Sequence, residues 1–378
     1  MVYLDNAATT KPCPAAAEAV RRAMEEDFGN PSSGHAIGRA AKGRLDAARQ
    51  SAAAALGCKE KELYFTSGGT EGDNWAIRAA VRMGRHKGRH IVTTAIEHPA
   101  VLRTCAALEQ AGCTVTRVRP GRDGVVTAED MAAALRPDTV AVSMMLVNNE
   151  TGAVQPVRAV AEAIRAAGCP ALFHVDAVQG FLKIPFTPKE LGAHFVTVSG
   201  HKVRGPKGIG AQYIAPGLKA EPLLWGGGQE SGLRSGTEPM PAILGFAAAC
   251  EEGKASMEAD VKHMAALKAA LLAMLRERLP LAQAIVPDGA PHILCLSLPG
   301  YRGEVLVRYL SDLGVCVSSG SACHRGKPGE ALGAMGLPKR VRDGVIRVSF
   351  SPDSREEDIA ALTEALLRAS EELVSAAR

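Results

Sequence analysis

Three short stretches carry residue types that could do chemistry together. Thr66-Ser67-Gly68-Gly69-Thr70-Glu71 lies between the strand-like Leu63-Tyr64-Phe65 and a helix-like run at 75–82. Glycines and hydroxyls opening a helix offer free N–H groups and the positive end of the helix dipole, which suits a phosphate; an ordinary Ser/Thr-capped helix start has the same pattern. Phe173-His174-Val175-Asp176 is an apolar run ending in a carboxylate, with Gln179 three residues later. A carboxylate at the carboxyl end of a parallel strand faces the ligand crevice of an open α/β sheet, although an aspartate capping the next helix looks alike. About 26 residues further on, Val196-Thr197-Val198-Ser199-Gly200-His201-Lys202 is a strand followed by small polar residues and a lysine.

A lysine there can bond covalently to the aldehyde of pyridoxal 5′-phosphate while Ser199 and His201 hold its phosphate. Asp176 would keep the pyridine nitrogen protonated, so that the ring draws electrons. Taken singly, Lys202 reads as a solvated loop lysine. The order phosphate loop, aspartate, Ser-x-His-Lys is what favours the cofactor. His98, in Glu97-His98-Pro99-Ala100 after another strand, could stack on the ring and move protons near neutral pH, or serve only the structure.

Holding these loops at one edge requires a particular scaffold. From about residue 15 to 215, Ala-rich amphipathic segments (39–56, 99–111, 157–167) alternate with short β-branched runs (90–94, 114–118, 138–147, 171–175, 194–198). That alternation predicts an α/β sandwich with a mostly parallel sheet flanked by helices. After the glycine-rich stretch 225–236 the pattern changes to long helices (239–279, 355–377) around short strands near 292–298 and 344–350, which predicts a smaller α+β domain. The expected division is a large domain over 15–250, with 1–14 and 251–378 forming the small one.

Composition narrows the function classes. The 378 residues are 47% hydrophobic and 22% charged, with a formal charge of +4 and no long basic block, which gives no reason to expect a nucleic-acid partner. No apolar run approaches a membrane span. The opening residues lack a basic n-region and an apolar h-region, so a cytoplasmic protein is expected. Nine cysteines without CxxC or Cys/His zinc spacing point to free thiols rather than disulfides or a metal site. Cys316, in an apolar Leu-Gly-Val-Cys-Val run, reads as core strand. Cys323 sits among small polar and basic residues in 318–338, a Gly-, Pro- and Lys-containing stretch expected to form a mobile loop. His324 and Arg325 beside it would favour its thiolate.

Taken in order, these motifs resemble those of cysteine desulfurases. They include Tyr3-Leu4-Asp5-Asn6-Ala7-Ala8-Thr9-Thr10, Asn30-Pro31-Ser32-Ser33-Gly34-His35, the 66–71 loop, Glu97-His98-Pro99, Asn148-Asn149-Glu150-Thr151-Gly152 and Ser199-Gly200-His201-Lys202. Gly226-Gly227-Gly228-Gln229-Glu230, Arg234-Ser235-Gly236-Thr237 and Ser318-Ser319-Gly320-Ser321-Ala322-Cys323 follow. The resemblance runs from residue 3 to about 350 and implies a class V aminotransferase-type, fold type I enzyme dependent on pyridoxal 5′-phosphate, homodimeric, with sites at the subunit interface.

Residue by residue, the resemblance implies that Lys202 carries the cofactor, Asp176 pairs with the pyridine nitrogen, Gln179 contacts the ring oxygen and His98 stacks on the ring. It implies that Gly69, Thr70, Ser199 and His201 hold the phosphate, with Thr237 reaching in from the other subunit. Asn149 and Arg347 would hold the substrate carboxylate, a task that suits a planar guanidinium. Cys323 would take sulfur from L-cysteine as a persulfide, leaving L-alanine. The sulfur would then pass to an acceptor protein for iron–sulfur cluster or thiocofactor biosynthesis. The implied alternatives are a selenocysteine lyase or another class V lyase or aminotransferase, and a transaminase has no use for a thiol at Cys323. The chain departs from many relatives in having His324 after the cysteine and Val203-Arg204 after the lysine. About 24 residues separate Cys323 from Arg347, a spacing that resembles the long-loop desulfurases.

Overall fold

The computed structural model describes residues 1–320 and 330–374; Cys323, His324 and Arg325 lie outside them. The chain opens on β1 (Val2–Tyr3), and helices α1 (Pro14–Glu25) and α2 (Ala36–Leu56) lead into the alternating region. That region runs β2 (Leu63–Thr66), α3 (Gly69–Gly84), β3 (His90–Thr94), α4 (Pro99–Gln110), β4 (Thr114–Val118), α5 (Ala128–Ala133) and β5 (Thr139–Met145). It continues through α6 (Val157–Ala166), β6 (Leu172–Asp176), β7 (Phe195–Ser199) and β8 (Gly210–Ile214). After the long helix α7 (Met240–Arg278) come β9 (Gln283–Ile285), β10 (Ile293–Ser297), α8 (Gly303–Asp312) and β11 (Val315–Cys316). The chain closes on α9 (Glu330–Ala334), α10 (Lys339–Asp343), β12 (Val345–Ser349) and α11 (Glu356–Glu372).

Strands β2 to β8 form one seven-stranded sheet in the order β2-β8-β7-β6-β5-β3-β4. β4, β3, β5, β6 and β7 pair in parallel, and β8 runs antiparallel between β7 and β2. The mostly parallel sheet read from the sequence is therefore present. Helices cover both faces, so β3, β5, β7 and β8 are buried at every position. Burial on both faces accounts for the β-branched, non-alternating runs read from the sequence for β3, β5 and β7. All five parallel strands point their carboxyl ends to one edge, and the loops that leave that edge are the motif loops.

Two apolar cores share α7. Its first half contributes Met240, Ile243 and Phe246 to the core around the large sheet. Its second half gives Met264, Leu267, Leu271 and Leu275 to a C-terminal core with Leu294, Ile346 and Leu362. The C-terminal part holds the antiparallel sheet β12-β10-β9, and β1 pairs in parallel with β11 there. Asp5 bridges to Ser349 as well. The first residues of the chain thus lie across the C-terminal unit and bring Ala7 and Ala8 to the edge of the large sheet. Cys316 is in β11, as the strand reading expected, but is half-buried at its edge rather than in the core.

Candidate active site

At the carboxyl edge of the parallel strands lies a cleft of about 260 Å3. Gly69 and Thr70, at the start of α3, and His98, at the start of α4, form one side of it. Asp176 and Gln179 come from the end of β6, Ser199, His201 and Lys202 from the end of β7, and Asn149 and Arg347 close the opposite side. Ten residues singled out in the sequence therefore meet in one place. Two do not join them: Thr237 is exposed on the 225–237 loop, and Cys323 lies outside the described residues.

The phosphate-type cradle is built by close packing. Gly69 starts α3, and a Cβ there would come within 2.8 Å of Val178 Cγ2. One turn on, a Cβ at Gly72 would meet Thr197 Cγ2 at 2.6 Å, so only a bare backbone lets the helix start sit this near the strand ends. The first-turn N–H groups have no partner within the helix and remain available to an anion.

Asp176 ends β6 with 5% exposure, and one oxygen accepts from the Val178 N–H at 2.9 Å. Burial, then the neighbouring Asp73, pushes its carboxyl up to about 7. A protonated ring nitrogen is the partner that would bring it back to the ionised form. Gln179 Nε2 donates to the Ala7 carbonyl at 2.9 Å, while its buried Oε1 has no partner. Lys202 Nζ donates to the carbonyls of Ala7 and Ala8, both at 2.7 Å, so the N-terminal segment holds the amine in the cleft. His201 Nδ1 lies 3.2 Å from Thr9 Oγ1, and burial with the Lys202 charge lowers its imidazole to about 4. His201 is therefore neutral and can donate or accept a hydrogen bond. His98 is the N-cap of α4, its Nδ1 accepting from the Ala100 N–H at 3.2 Å.

Arg347 is 1% exposed in β12. Nη1 donates to the Asn149 carbonyl at 2.8 Å, Nη2 to Asp5 Oδ1 at 2.7 Å, and the buried Nε has no partner. A buried guanidinium with spare donors suits a small carboxylate. Ser318 pairs with Arg347 across a bridge, its N–H donating to the Arg347 carbonyl at 3.2 Å. The 225–237 loop is stapled down at its middle: Arg49 donates to both oxygens of Glu230, at 2.6 and 2.7 Å, and Arg234 Nε to Glu71 at 2.9 Å.

These observations fit pyridoxal 5′-phosphate. A buried carboxylate awaits a cationic partner, an amide oxygen lacks a donor, an amine points into the cleft, and a helix start faces the same space.

Sequence reasoning missed the acids beneath the site. Asp73 lines the cleft from α3, 1% exposed, with Oδ1 3.4 Å from His174 Nε2 and unbonded. His174 is held by Ser143 and Thr197 at 2.9 and 3.0 Å, and burial lowers it to about 4, so it offers Asp73 no charge. Glu97 accepts from Thr94 Oγ1 at 2.6 Å and from the Met145 N–H at 3.0 Å. Burial pushes both carboxyls up to about 8. In the folded apoprotein they keep their protons to about pH 8, whereas the unfolded chain releases them near pH 4. At these two sites the folded state therefore binds more protons between these values, and their contribution to stability falls as pH rises from about 4 to about 8, against the opposite contribution of the buried histidines below about pH 6.5. The acids' share is read as a difference: relative to wild type, Asp73→Asn and Glu97→Gln should each gain in urea midpoint as pH rises over this range, and a difference that does not change with pH in both would show that these acids are ionised.

The profile of the family Aminotransferase class-V matches residues 2–362. Cysteine desulfurase IscS of Methanosarcina thermophila is 39% identical over 374 residues, 96% of this chain and 90% of that protein. A cysteine desulfurase of Trichormus azollae is 40% identical over 370 residues, 97% and 92% of the two chains. Among solved structures, a NifS-like protein superposes with a TM-score of 0.93 at 36% identity, covering 98% of this chain and 100% of its own. DndA from Streptomyces lividans gives 0.78 at 37%, covering 92% and 99%. SspA, solved in complex with cysteine, gives 0.80 at 31%, covering 94% and 100%.

Proposed function

Because the chain belongs to the class V aminotransferase family and is a cysteine desulfurase, we propose that the cleft around Lys202 holds pyridoxal 5′-phosphate and turns L-cysteine into L-alanine. The observation that carries this reading is the convergence of Lys202, the buried Asp176 and the α3 start on one cleft with the spare donors of Arg347. Lys202 would attach the cofactor, Asp176 face its ring nitrogen, Gln179 its ring oxygen and His98 its ring. Gly69, Thr70, Ser199 and His201 would hold the phosphate. When bound, the cofactor supplies an electron sink for negative charge at the substrate Cα.

The protein's own groups do the rest. Arg347 and Asn149 hold the substrate carboxylate and so fix which bond at Cα faces Lys202. The freed Lys202 amine takes the Cα proton. The Cys323 thiolate then attacks the substrate sulfur: an S–S bond forms, the Cβ–S bond breaks, and protonation of the carbon skeleton gives alanine. One enzyme thiol and one cysteine become one enzyme persulfide and one alanine, with no outside oxidant. Among the described residues, Ser318 bridges Arg347 at the substrate-binding end of the cleft.

A homodimer belongs to the same proposal. Thr237 is exposed, and on its loop Trp225 and Leu224 are 80% and 43% exposed, apolar surface that a second copy would cover. The persulfide would pass to an acceptor protein serving iron–sulfur cluster or thiocofactor biosynthesis, in the cytoplasm. Among the described residues no helix is long and apolar enough to cross a membrane. The division into a 15–250 domain and a second one of 1–14 with 251–378 is likewise proposed, supported by the two cores.

The experiment is to load the protein with pyridoxal 5′-phosphate, reduce with borohydride and map the modified peptide. Modification at Lys202, lost in Lys202→Ala, is expected; attachment at another lysine would overturn the assignment.

A further inference from the structure

Arg204 stands two residues after Lys202, in the Val203-Arg204 step where the chain departs from many relatives. The reaction described above gives it no task, yet its backbone is held at φ +62°. A residue other than glycine costs free energy in that left-handed region and stays there only where its surroundings over-determine it.

The surroundings are ties in two directions. The Arg204 N–H donates to Thr10 Oγ1 at 2.8 Å, and its carbonyl accepts from the Cys13 N–H at 2.8 Å. The side chain reaches the opposite way: Nη1 donates to Glu252 Oε1 at 2.7 Å and Nη2 to Asp353 Oδ1 at 3.2 Å. A planar fork can hold two carboxylates from separate elements at once, which a single ammonium does poorly.

The two carboxylates belong to the parts that carry the rest of the site. Glu252 lies on α7 between the stretch that packs on the large sheet and the stretch that enters the C-terminal core. Asp353 lies six residues after Arg347, on the loop between β12 and α11. A second route joins the same parts: Lys202 Nζ donates to the Ala7 carbonyl at 2.7 Å, and the Ala7 N–H donates to Ser349 Oγ of β12 at 2.8 Å. Lys202, Ala7, Ser349, Asp353 and Arg204 thus form a closed ring of contacts and chain. The Ala7 link uses the Lys202 amine itself, so it is given up whenever that amine bonds elsewhere. The Arg204 links use no reacting atom and persist.

We propose that Arg204 is a positioning residue whose fork latches the turn carrying Lys202 to α7 and to the loop after β12, and so keeps Lys202 and Arg347 at a fixed separation through the reaction. The inference deepens the reading that Lys202 is the cofactor lysine and Arg347 the carboxylate anchor, and rests on it.

The test uses the full-length protein with Arg204→Ala, Asp353→Asn and the two combined. In the loaded enzyme, Arg204→Ala is expected to lower kcat for L-cysteine about tenfold with KM within about twofold of wild type. Arg347 still grips the carboxylate, while Cα sits off line from Lys202; a misplacement of about 1 Å can cost about 10²-fold. Asp353→Asn alters a more exposed carboxylate and should cost about threefold. The double variant should lose no more than Arg204→Ala alone, because the two residues act through one contact. In the apoprotein, amide hydrogen exchange of the 200–206 and 351–355 peptides is expected to quicken about tenfold in Arg204→Ala, with β3 unchanged. A cooperative thermal melt shows which variants are folded. Where Arg204→Ala does not fold, Glu252→Gln combined with Asp353→Asn, which leaves the Arg204 backbone untouched, is read in the same way. Unchanged exchange in the folded variant, a loss carried by KM, or additive losses in the double variant overturns the inference alone. Borohydride trapping of the cofactor on a lysine other than Lys202 overturns the reading beneath it, and the inference with it.

Discussion

Lys202→Ala is expected to lower turnover of L-cysteine by at least about 10⁴-fold, the scale on which enzymes lose rate when a covalent catalytic group is removed. The substitution takes away both the attachment point and the base that faces the substrate Cα. Its effect on folding should be small by comparison. The two hydrogen bonds to Ala7 and Ala8 are worth about 1 kcal/mol each. Activity and thermal midpoint measured on the same preparation separate the two effects: near-complete loss of turnover with a melt within a few degrees of wild type. A small primary amine in the buffer should restore part of the activity. A variant that keeps a tenth of wild-type turnover without such an amine would remove Lys202 from the reaction.

The second large effect is expected at Arg347. Its guanidinium is buried between Asp5 and the Asn149 carbonyl, so Arg347→Leu deletes the anchor for the substrate carboxylate and strands the Asp5 charge. Truncating one member of a buried, hydrogen-bonded charge pair costs about 2–5 kcal/mol, which places the fall in kcat/KM between about 30-fold and about 4,000-fold. Arg347→Lys should recover little, because a single ammonium cannot reproduce the planar fork that also reaches Asn149. Asp5→Asn separates structure from binding: it removes the stranded charge, so the double variant with Arg347→Leu should regain stability but not kcat/KM. Loss confined to kcat at unchanged KM would place Arg347 outside substrate binding.

Much of the fold was legible because its signals are local. The strands β3 and β4 match their β-branched runs at 90–94 and 114–118, and α4 and α6 end within one residue of the expected limits. β8 gave no such signal. Gly208 and Gly210 interrupt the apolar run, and Gly210 is needed because a Cβ there would lie 2.5 Å from the Val198 carbonyl and 2.9 Å from Gly68 Cα. The requirement comes from the loop stacked over the strand, which neighbouring residues in sequence do not reveal.

The site shows the same division. Asp176 and Lys202 were readable because each ends a strand and parallel strands share an edge. Asp73 and Glu97 were not: one lies within an apparently amphipathic helix and the other in a motif loop, where an acid is ordinarily solvated. Their burial follows from how α3 and β5 close over them. The Ala7 and Ala8 carbonyls that hold the Lys202 amine are invisible to any reading of side chains.

The most direct measurement is a single turnover of L-cysteine without reductant, with alanine quantified and Cys323 examined by mass spectrometry. One alanine per active site, matched by the gain of one sulfur atom at Cys323 and abolished in Cys323→Ser, is the expected result. Alanine and free sulfide formed at the wild-type rate by Cys323→Ser would contradict the account and make the protein a lyase that releases sulfur without a persulfide on this residue.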